Sequence, residues 1–214
     1  MNNLVILYQT EEVSNSISLN NWKKYCDKHK LSLIYLTDTI RDDLKREDQI
    51  FYIFDVLKAN EIQYNQICLV SDNTLINSNT VNIFELTENK LTFAEWDSDF
   101  GYLLTQLEHY QKNFFNNKTV DYSRFFDFGF FIVNKSHEKI FKNICEFLHN
   151  KHNFVALNFF FDCEYKKLPY TYNMIDISRK EILDNFMFVK LGNVYNFTGL
   201  SNKNSIMSSV SNLL

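Results

Sequence analysis

Tyr64-Asn65-Gln66-Ile67-Cys68-Leu69-Val70-Ser71-Asp72-Asn73-Thr74-Leu75-Ile76 runs from an apolar stretch into a polar triplet and out again. Ile67 to Val70 is short and wholly apolar, the mark of a strand covered on both faces. Ser71-Asp72-Asn73 ends it with residues whose short polar side chains favour turns. Working outward, Leu4 to Tyr8 and Leu31 to Leu36 read as two earlier strands. Ser16 to His29 lies between them as a helix, with Ile17, Trp22 and Cys26 towards one face. Asp48 to Ala59 reads as a helix with Ile50, Phe51, Phe54 and Leu57 at helical spacing. Leu91 to Trp96 alternates as a fourth strand, and Asp99 to Phe114 is an amphipathic helix. Phe130 to Val133 is a further strand. His137 to His149 and Phe154 to Phe161 read as helices, and Phe186 to Leu191 and Val194 to Phe197 as late strands.

Strands alternating with helices at this spacing imply βαβ units. The expected fold class is α/β, with a mixed and mostly parallel sheet flanked by helices, and residues 1–214 forming a single domain. In such sheets ligands bind beyond the carboxyl ends of the strands. The residues after Tyr8, Leu36, Val70 and Trp96 are therefore the ones to watch.

Composition excludes several other classes. Hydrophobic residues are 45% and charged residues 22%, so apolar burial can offset the ordering entropy of a folded chain. The net charge is −4, without a basic cluster, which argues against binding nucleic acid. With 4 Gly and 1 Pro the chain carries no linker or low-complexity tract. Cys26, Cys68, Cys145 and Cys163 are widely spaced without a CxxC pair, which favours free thiols over a disulfide framework or a zinc site. No apolar run approaches the ~18–20 residues of a membrane span. Met1-Asn2-Asn3-Leu4 lacks the basic flank of a signal peptide. A cytoplasmic protein without a membrane span is expected.

The polar triplet has two readings. One is a plain turn. In the other, a strand entering a polar triplet and then Thr-Leu-Ile resembles the segment that carries the Asp-x-Asp motif of GT-A nucleotide-sugar glycosyltransferases. Five further segments carry the same resemblance in the same order. Trp22-Lys23-Lys24-Tyr25-Cys26 with Leu31 to Leu36 resembles their early helix and second strand. Phe125 to Asn134 resembles their Phe-Asn-Ala/Ser-Gly strand beside the donor sugar. Ala156-Leu157-Asn158 resembles the end of their Asp-Gln-x-x-Leu-Asn segment, and Leu168 to Asn173 their Leu-Pro-x-x-Tyr-Asn. Gly192 to Phe197 sits where they have a strand ending in a metal-binding His. Over nearly the whole chain the sequence is similar to the glycogenin and lipopolysaccharide-glycosyltransferase group (family 8-like), which implies a single Rossmann-like GT-A domain.

The departures fall on functional positions. Ser71 and Asn73 stand where the resemblance implies metal-binding Asp residues, with Asp72 between them. Asn196 stands for the His, Asn153-Phe154 for Asp-Gln, Phe128 for a small residue and Asp127 for an Asn. In an extended segment alternate side chains face opposite ways, so Asp72 points away from the position of its neighbours unless the turn re-aims it. A divalent cation gains roughly 8 kcal/mol per carboxylate at ~4 Å and an effective dielectric near 20, before desolvation. Losing two carboxylates therefore weakens a cation site greatly, although Ser and Asn oxygens still ligate hard cations.

Other ionisable residues divide between chemistry and plain surface. Asp97-Ser98-Asp99 is a literal Asp-x-Asp. Asp99 suits a helix N-cap, whereas Asp97 follows a strand at the ligand edge and resembles an acidic residue near the donor sugar. His149 and His152 are three apart but fit a solvated helix end. Arg179-Lys180 fits a phosphate contact or an exposed helix face. Lys203, after Gly199, resembles a diphosphate-contacting Lys and also fits a surface position. Phe159-Phe160-Phe161 reads as core.

The resemblance thus implies transfer of a sugar from a nucleotide diphosphate-sugar, a UDP-sugar for preference, to a glycan or other hydroxyl acceptor, with Mn²⁺ or Mg²⁺ as the family's cofactor. Tyr8, Gln9 and Thr10 would meet the nucleoside. Ser71, Asp72 and Asn73 would lie at the diphosphate, Asp97, Asp127 and Gly129 at the sugar, and Asn196 and Lys203 would close over the phosphates. Asp127 and Asp97 are the catalytic candidates, and Asp72, Asn73 and Asn196 the metal candidates. The alternative is a degenerate glycosyltransferase fold without activity, kept as a binding or scaffold partner. A third reading replaces the metal by Lys203 or Arg179.

Overall fold

The computed structural model describes residues 2–10, 15–94, 100–119, 129–148, 158–175 and 186–214. Six strands form the main sheet in the order β2-β1-β3-β6-β5-β7. They are β1 (Leu4–Tyr8), β2 (Ser32–Leu36), β3 (Gln66–Ser71), β5 (Leu91–Ala94), β6 (Phe130–Asn134) and β7 (Tyr165–Leu168). β1 pairs in parallel with β2 and β3, and β5 in parallel with β7. β6 alone runs antiparallel, between β3 and β5. A second, two-stranded antiparallel sheet joins β4 (Thr74–Ile76) to β8 (Val194–Asn196).

Both faces of the main sheet are covered, which explains its unbroken apolar runs. Side chains alternate across a strand. Leu4, Ile6 and Tyr8 therefore share one face with Ile67 and Leu69, packed against Phe54 and Leu57 of α2 (Ile53–Ala59) and Phe141 and Ile144 of α4 (Glu138–Leu148). Val5 and Leu7 share the other face with Cys68 and Val70, packed against Trp22, Tyr25 and Cys26 of α1 (Ser16–His29). Among the described residues the remaining α-helices are α3 (Phe100–Phe114), α5 (Phe186–Leu191) and α6 (Lys203–Ser211).

α1 is anchored by its own polar residues. Asn15 caps it by accepting from the backbone N–H of Ile17 and Ser18. Ser18 Oγ donates to the Thr74 carbonyl at 2.7 Å, and Trp22 Nε1 to Thr74 Oγ1 at 3.0 Å. Asn21 Nδ2 donates to the Ile76 carbonyl, and Asn21 Oδ1 accepts from the Ile76 N–H. These bonds hold β4 directly behind the polar triplet. A third apolar cluster, containing Leu75, Met174, Val189, Tyr195, Phe197, Met207 and Val210, packs β4 and β8 against α5 and α6.

Several sequence expectations shift. Phe186–Leu191 is a helix, not a strand; Val189 turns into the third cluster, a pull that lies outside the segment itself. The helix expected over 48–59 is a 3-10 stretch, Arg46–Tyr52, leading into α2. The described part of the helix expected over 154–161 is a turn at 158–160. Strands β4 and β7 and helix α6 are new. β7 carries Lys166 and Lys167 because it is an edge strand, where charge blocks further pairing. Lys166 Nζ meets Glu88 Oε1 at 2.5 Å. Among the described residues no helix is long and apolar enough to cross a membrane, and all four cysteines are free thiols.

Candidate functional site

The carboxyl ends of β1, β2 and β3 lie side by side, because Tyr8 registers with both Leu36 and Ser71. The chain leaving β1 is held against both neighbours. Gln9 N–H donates to the Leu36 carbonyl at 3.0 Å, and Asp72 N–H to the Tyr8 carbonyl at 2.9 Å. Ser71 N–H donates to the Gly129 carbonyl at 3.2 Å, which places Gly129 beside the triplet.

Asp72 is 1% exposed, and its carboxylate reaches Thr10 and Tyr35. Asp72 Oδ1 accepts from Thr10 N–H at 3.1 Å and from Thr10 Oγ1 at 2.8 Å. Asp72 Oδ2 accepts from the Tyr35 hydroxyl at 3.3 Å. One buried carboxylate therefore fastens the ends of β1, β2 and β3 together.

Asn73 belongs to a chain of donors that ends on the same carboxylate. Lys203 Nζ, at the start of α6, donates to Asn73 Oδ1 at 2.8 Å. Asn73 Nδ2 donates to Thr10 Oγ1 at 2.8 Å, and the Thr10 hydroxyl in turn donates to Asp72 Oδ1. A directed chain, Lys203 to Asn73 to Thr10 to Asp72, thus links a half-buried ammonium to a buried carboxylate. Each bond polarises the next in the same sense. Phe197 N–H donates to the Asn73 carbonyl at 2.8 Å, which ties the segment before α6 to the triplet.

Ser71 Oγ is buried and has no hydrogen-bond partner among the described residues. A buried hydroxyl left in that state costs about 1–3 kcal/mol. At the neighbouring strand ends a small pocket is lined by Tyr8, Gln9, Thr37, Asp38, Arg46 and Gln49, among others. Arg46 shapes it, with Nη1 donating to Gln9 Oε1 at 3.0 Å and to the Thr37 carbonyl at 3.1 Å. Sequence reasoning missed Arg46 and Tyr35. The signal for Tyr35 was available, since it lies on the β2 face shared with Val70; Arg46 is placed by a loop with no periodicity.

Asn196 lies on β8 opposite Thr74. Its Oδ1 accepts from Thr198 N–H at 3.0 Å and its Nδ2 donates to Asn173 Oδ1 at 3.0 Å. Asp97, Asp127, Arg179, Phe128, Phe154, His149 and His152 lie outside the described residues.

Divalent cations such as Mg²⁺ and Ca²⁺ need several oxygens converging at about 2.0–2.6 Å. Both Asp72 oxygens are engaged by internal donors, Asn73 Oδ1 already takes an ammonium, and Asn196 Oδ1 takes a backbone N–H. Among the described residues no group of three or more His, Cys, Asp or Glu converges. The described residues do not fit a divalent metal: Asp72, the one carboxylate of the triplet, is spent on the strand ends.

No protein-family model matches the chain, and no curated protein matches it by sequence. Solved structures do. A glycosyltransferase involved in glycosylation of the major capsid of PBCV-1 superposes with a TM-score of 0.63 at 12% identity, covering 96% of this chain and 98% of the other. The bifunctional glycosyltransferase WbbM gives 0.65 at 12% identity over 98% of this chain, which matches 49% of its length. The galactosyltransferase LgtC, crystallised with donor and acceptor sugar analogues, gives 0.52 at 10% identity, covering 99% of this chain and 96% of LgtC. The six-stranded sheet with its single antiparallel strand, the helices on both faces and these likenesses establish that the chain is built on the GT-A glycosyltransferase fold.

Proposed function

We propose that residues 1–214 form a single-domain, cytoplasmic glycosyltransferase of hexosyl type, which moves a sugar from a nucleoside diphosphate-sugar to a glycan or other hydroxyl acceptor. The observation that carries this reading is the polar shelf at the carboxyl ends of β1, β2 and β3. Gln9 and Arg46 line a small pocket there, and hydrogen bonds run from Thr10 through Asn73 to the Lys203 ammonium. In parallel sheets this edge receives ligands, and the fold is one that several glycosyltransferases share.

Each part has a task. Tyr8, Gln9 and Thr10 receive the nucleoside, a uridine for preference, with Arg46 setting the pocket wall. Ser71, Asn73 and Lys203 receive the diphosphate. Asp97, Asp127 and Gly129 line the sugar, and Asp127 and Asp97 are the groups proposed to touch the reacting atoms. Asp72 acts as a strut that positions Thr10 and Asn73. During transfer the anomeric carbon–oxygen bond to the diphosphate breaks, the acceptor hydroxyl oxygen bonds to that carbon, and the hydroxyl proton is released. Preorganised donors lower the barrier where negative charge grows on the leaving diphosphate. Holding the acceptor oxygen against the anomeric carbon supplies the rest through proximity.

The test is release of nucleoside diphosphate from a panel of UDP-, GDP- and TDP-sugars by the purified chain. Release above the protein-free rate from at least one donor is expected, and it should fall sharply in Asp127→Asn. Failure of every nucleotide to bind, with no release from any donor, refutes the reading and leaves a fold retained for partner contacts.

A further inference from the structure

We propose that the groove between α1 and α6 is a second carbohydrate site, which holds an acidic stretch of the acceptor glycan away from the strand ends. The inference rests on the glycosyltransferase reading above in one respect, that the ligand is a glycan, and it names the chemical class of that glycan.

Two helices and the strand behind the polar triplet build the groove. α1 and α6 meet at their starts, where Asn15 Nδ2 donates to Asn204 Oδ1 at 3.5 Å. Further along, a cavity of about 520 Å³ lies between them, within the range of about 300–1,000 Å³ usual for small-ligand sites. Ile17 and the buried Ile76 of β4 give it an apolar part. Asn15 N–H donates to the Tyr35 hydroxyl, the partner of Asp72, so α1 begins at the strand-end site. Lys24 and Lys28 line the cavity about 14 and 20 Å further along that helix, at about 1.5 Å per residue.

Three observations set the chemistry of the ligand. The charged side chains that line the groove are Lys24 and Lys28, one turn apart on one helix face. Lys28 Nζ donates to the Ser78 carbonyl at 2.5 Å, and neither ammonium has a carboxylate partner among the described residues. Two like charges so close, left without a counter-charge, attract an anion. Next, the side chains of Asn20, Ser208, Ser211 and Asn212 line the same space and have no internal hydrogen-bond partner among the described residues. Amides and hydroxyls of this kind match sugar hydroxyls, which both donate and accept. Finally, the groove lacks what other polyanions use. Tyr25, the aromatic residue among its lining, is 2% exposed, with its ring against Trp22 and His29, so it offers no platform for a nucleic-acid base. The edge of β4 is taken by α1, through Asn21 on both Ile76 backbone groups and Ser18 on the Thr74 carbonyl, so an acidic peptide finds no strand to pair with.

Oligogalacturonate and hyaluronan oligosaccharides are the probes, titrated calorimetrically into the full chain. A malto-oligosaccharide of similar length, polyglutamate and a single-stranded oligodeoxynucleotide are the comparisons. At least one acidic sugar should bind about tenfold or more tightly than all three comparisons, and should weaken as salt is raised. Replacing both lysines, Lys24→Gln with Lys28→Gln, should weaken that binding by about tenfold or more. Ser208→Trp fills the groove without touching either charge and should weaken it as much. Lys24, Lys28 and Ser208 are exposed, so both proteins should melt within about 2 °C of wild type. Release of nucleoside diphosphate from donor alone should stay at the wild-type rate in both.

No binding of either acidic sugar, equal binding of any comparison, or wild-type affinity in either altered protein overturns the inference. Donor turnover that persists in that case leaves the glycosyltransferase reading intact. Groove-dependent binding of an acidic sugar by a chain that neither binds a nucleotide nor releases one does the reverse. It refutes the glycosyltransferase reading and keeps the groove as a carbohydrate site.

Discussion

Replacing Asp72 by alanine takes one acceptor away from three donors, namely the Thr10 N–H, the Thr10 hydroxyl and the Tyr35 hydroxyl. Hydrogen bonds to a charged group contribute about 1.5–3 kcal/mol each. The two Thr10 bonds, at 3.1 and 2.8 Å, are well formed, whereas the Tyr35 bond at 3.3 Å is long. Two full bonds alone would give about 3–6 kcal/mol. Thr10 is half-exposed, so water recovers part of the loss. About 3 kcal/mol is the expected net cost, which lowers the thermal midpoint of a chain this long by about 6–12 °C. Asp72→Asn keeps the shape and one carbonyl acceptor for Thr10, and should cost about half as much, through the lost charge. Thermal melts followed by circular dichroism, with urea titrations beside them, measure both variants. A strut predicts a large fall for alanine and an intermediate one for asparagine. A cleft-facing metal ligand predicts nearly unchanged midpoints, and a midpoint within about 2 °C of wild type for Asp72→Ala would refute the strut.

The other expectations concern the surroundings of the site. Trp22→Phe loses the indole bond to Thr74 Oγ1 and part of a fully buried ring; about 2 kcal/mol of destabilisation and a midpoint lower by about 4–8 °C are expected, and an unchanged melt would contradict the docking of α1 on β4. Burial lowers the His137 pKa below its usual 6.5, and its Nδ1 accepts the Asn134 N–H. The neutral ring is thus the folded form, so its share of stability is present above pH 6.5 and is lost as pH falls from there through the lowered folded value. A series of melts over that window should show a drop that flattens in His137→Gln; equal slopes in the two proteins would exclude the assignment. Burial pushes the Cys26 thiol up to about 12 and raises Cys68 well above the usual thiol range, so a thiol reagent at pH 8 should modify native Cys163 and Cys145 before either of them, and all four after unfolding. Equal native rates at the four thiols would speak against the buried placement.

Much of the fold was legible for a local reason. β1, β3 and β6 are covered on both faces, so apart from Gln66, Ser71 and Asn134 at the strand ends every residue is apolar and the run stands out from its neighbours. Phe186–Leu191 shows where that logic stops. A short apolar run carries no period long enough to separate strand from helix, and its helical form follows from packing with Leu75, Phe197 and Met207. β7 was hidden for the opposite reason, because an edge strand needs little hydrophobicity and here bears two lysines.

The sequence by itself determined the α/β class, the strand ends where polar residues gather, and the absence of carboxylates at the outer positions of the triplet. These are properties of composition and period, which any short window contains. Only the tertiary structure decided what those residues do. Thr10 meets Asp72 across 62 positions, and Lys203 meets Asn73 across 130. Such pairs form because sheet order and helix packing bring distant segments together. Whether a polar side chain becomes a strut, a ligand or a counter-charge depends on the partner that the fold places within about 3 Å. No local pattern encodes that partner.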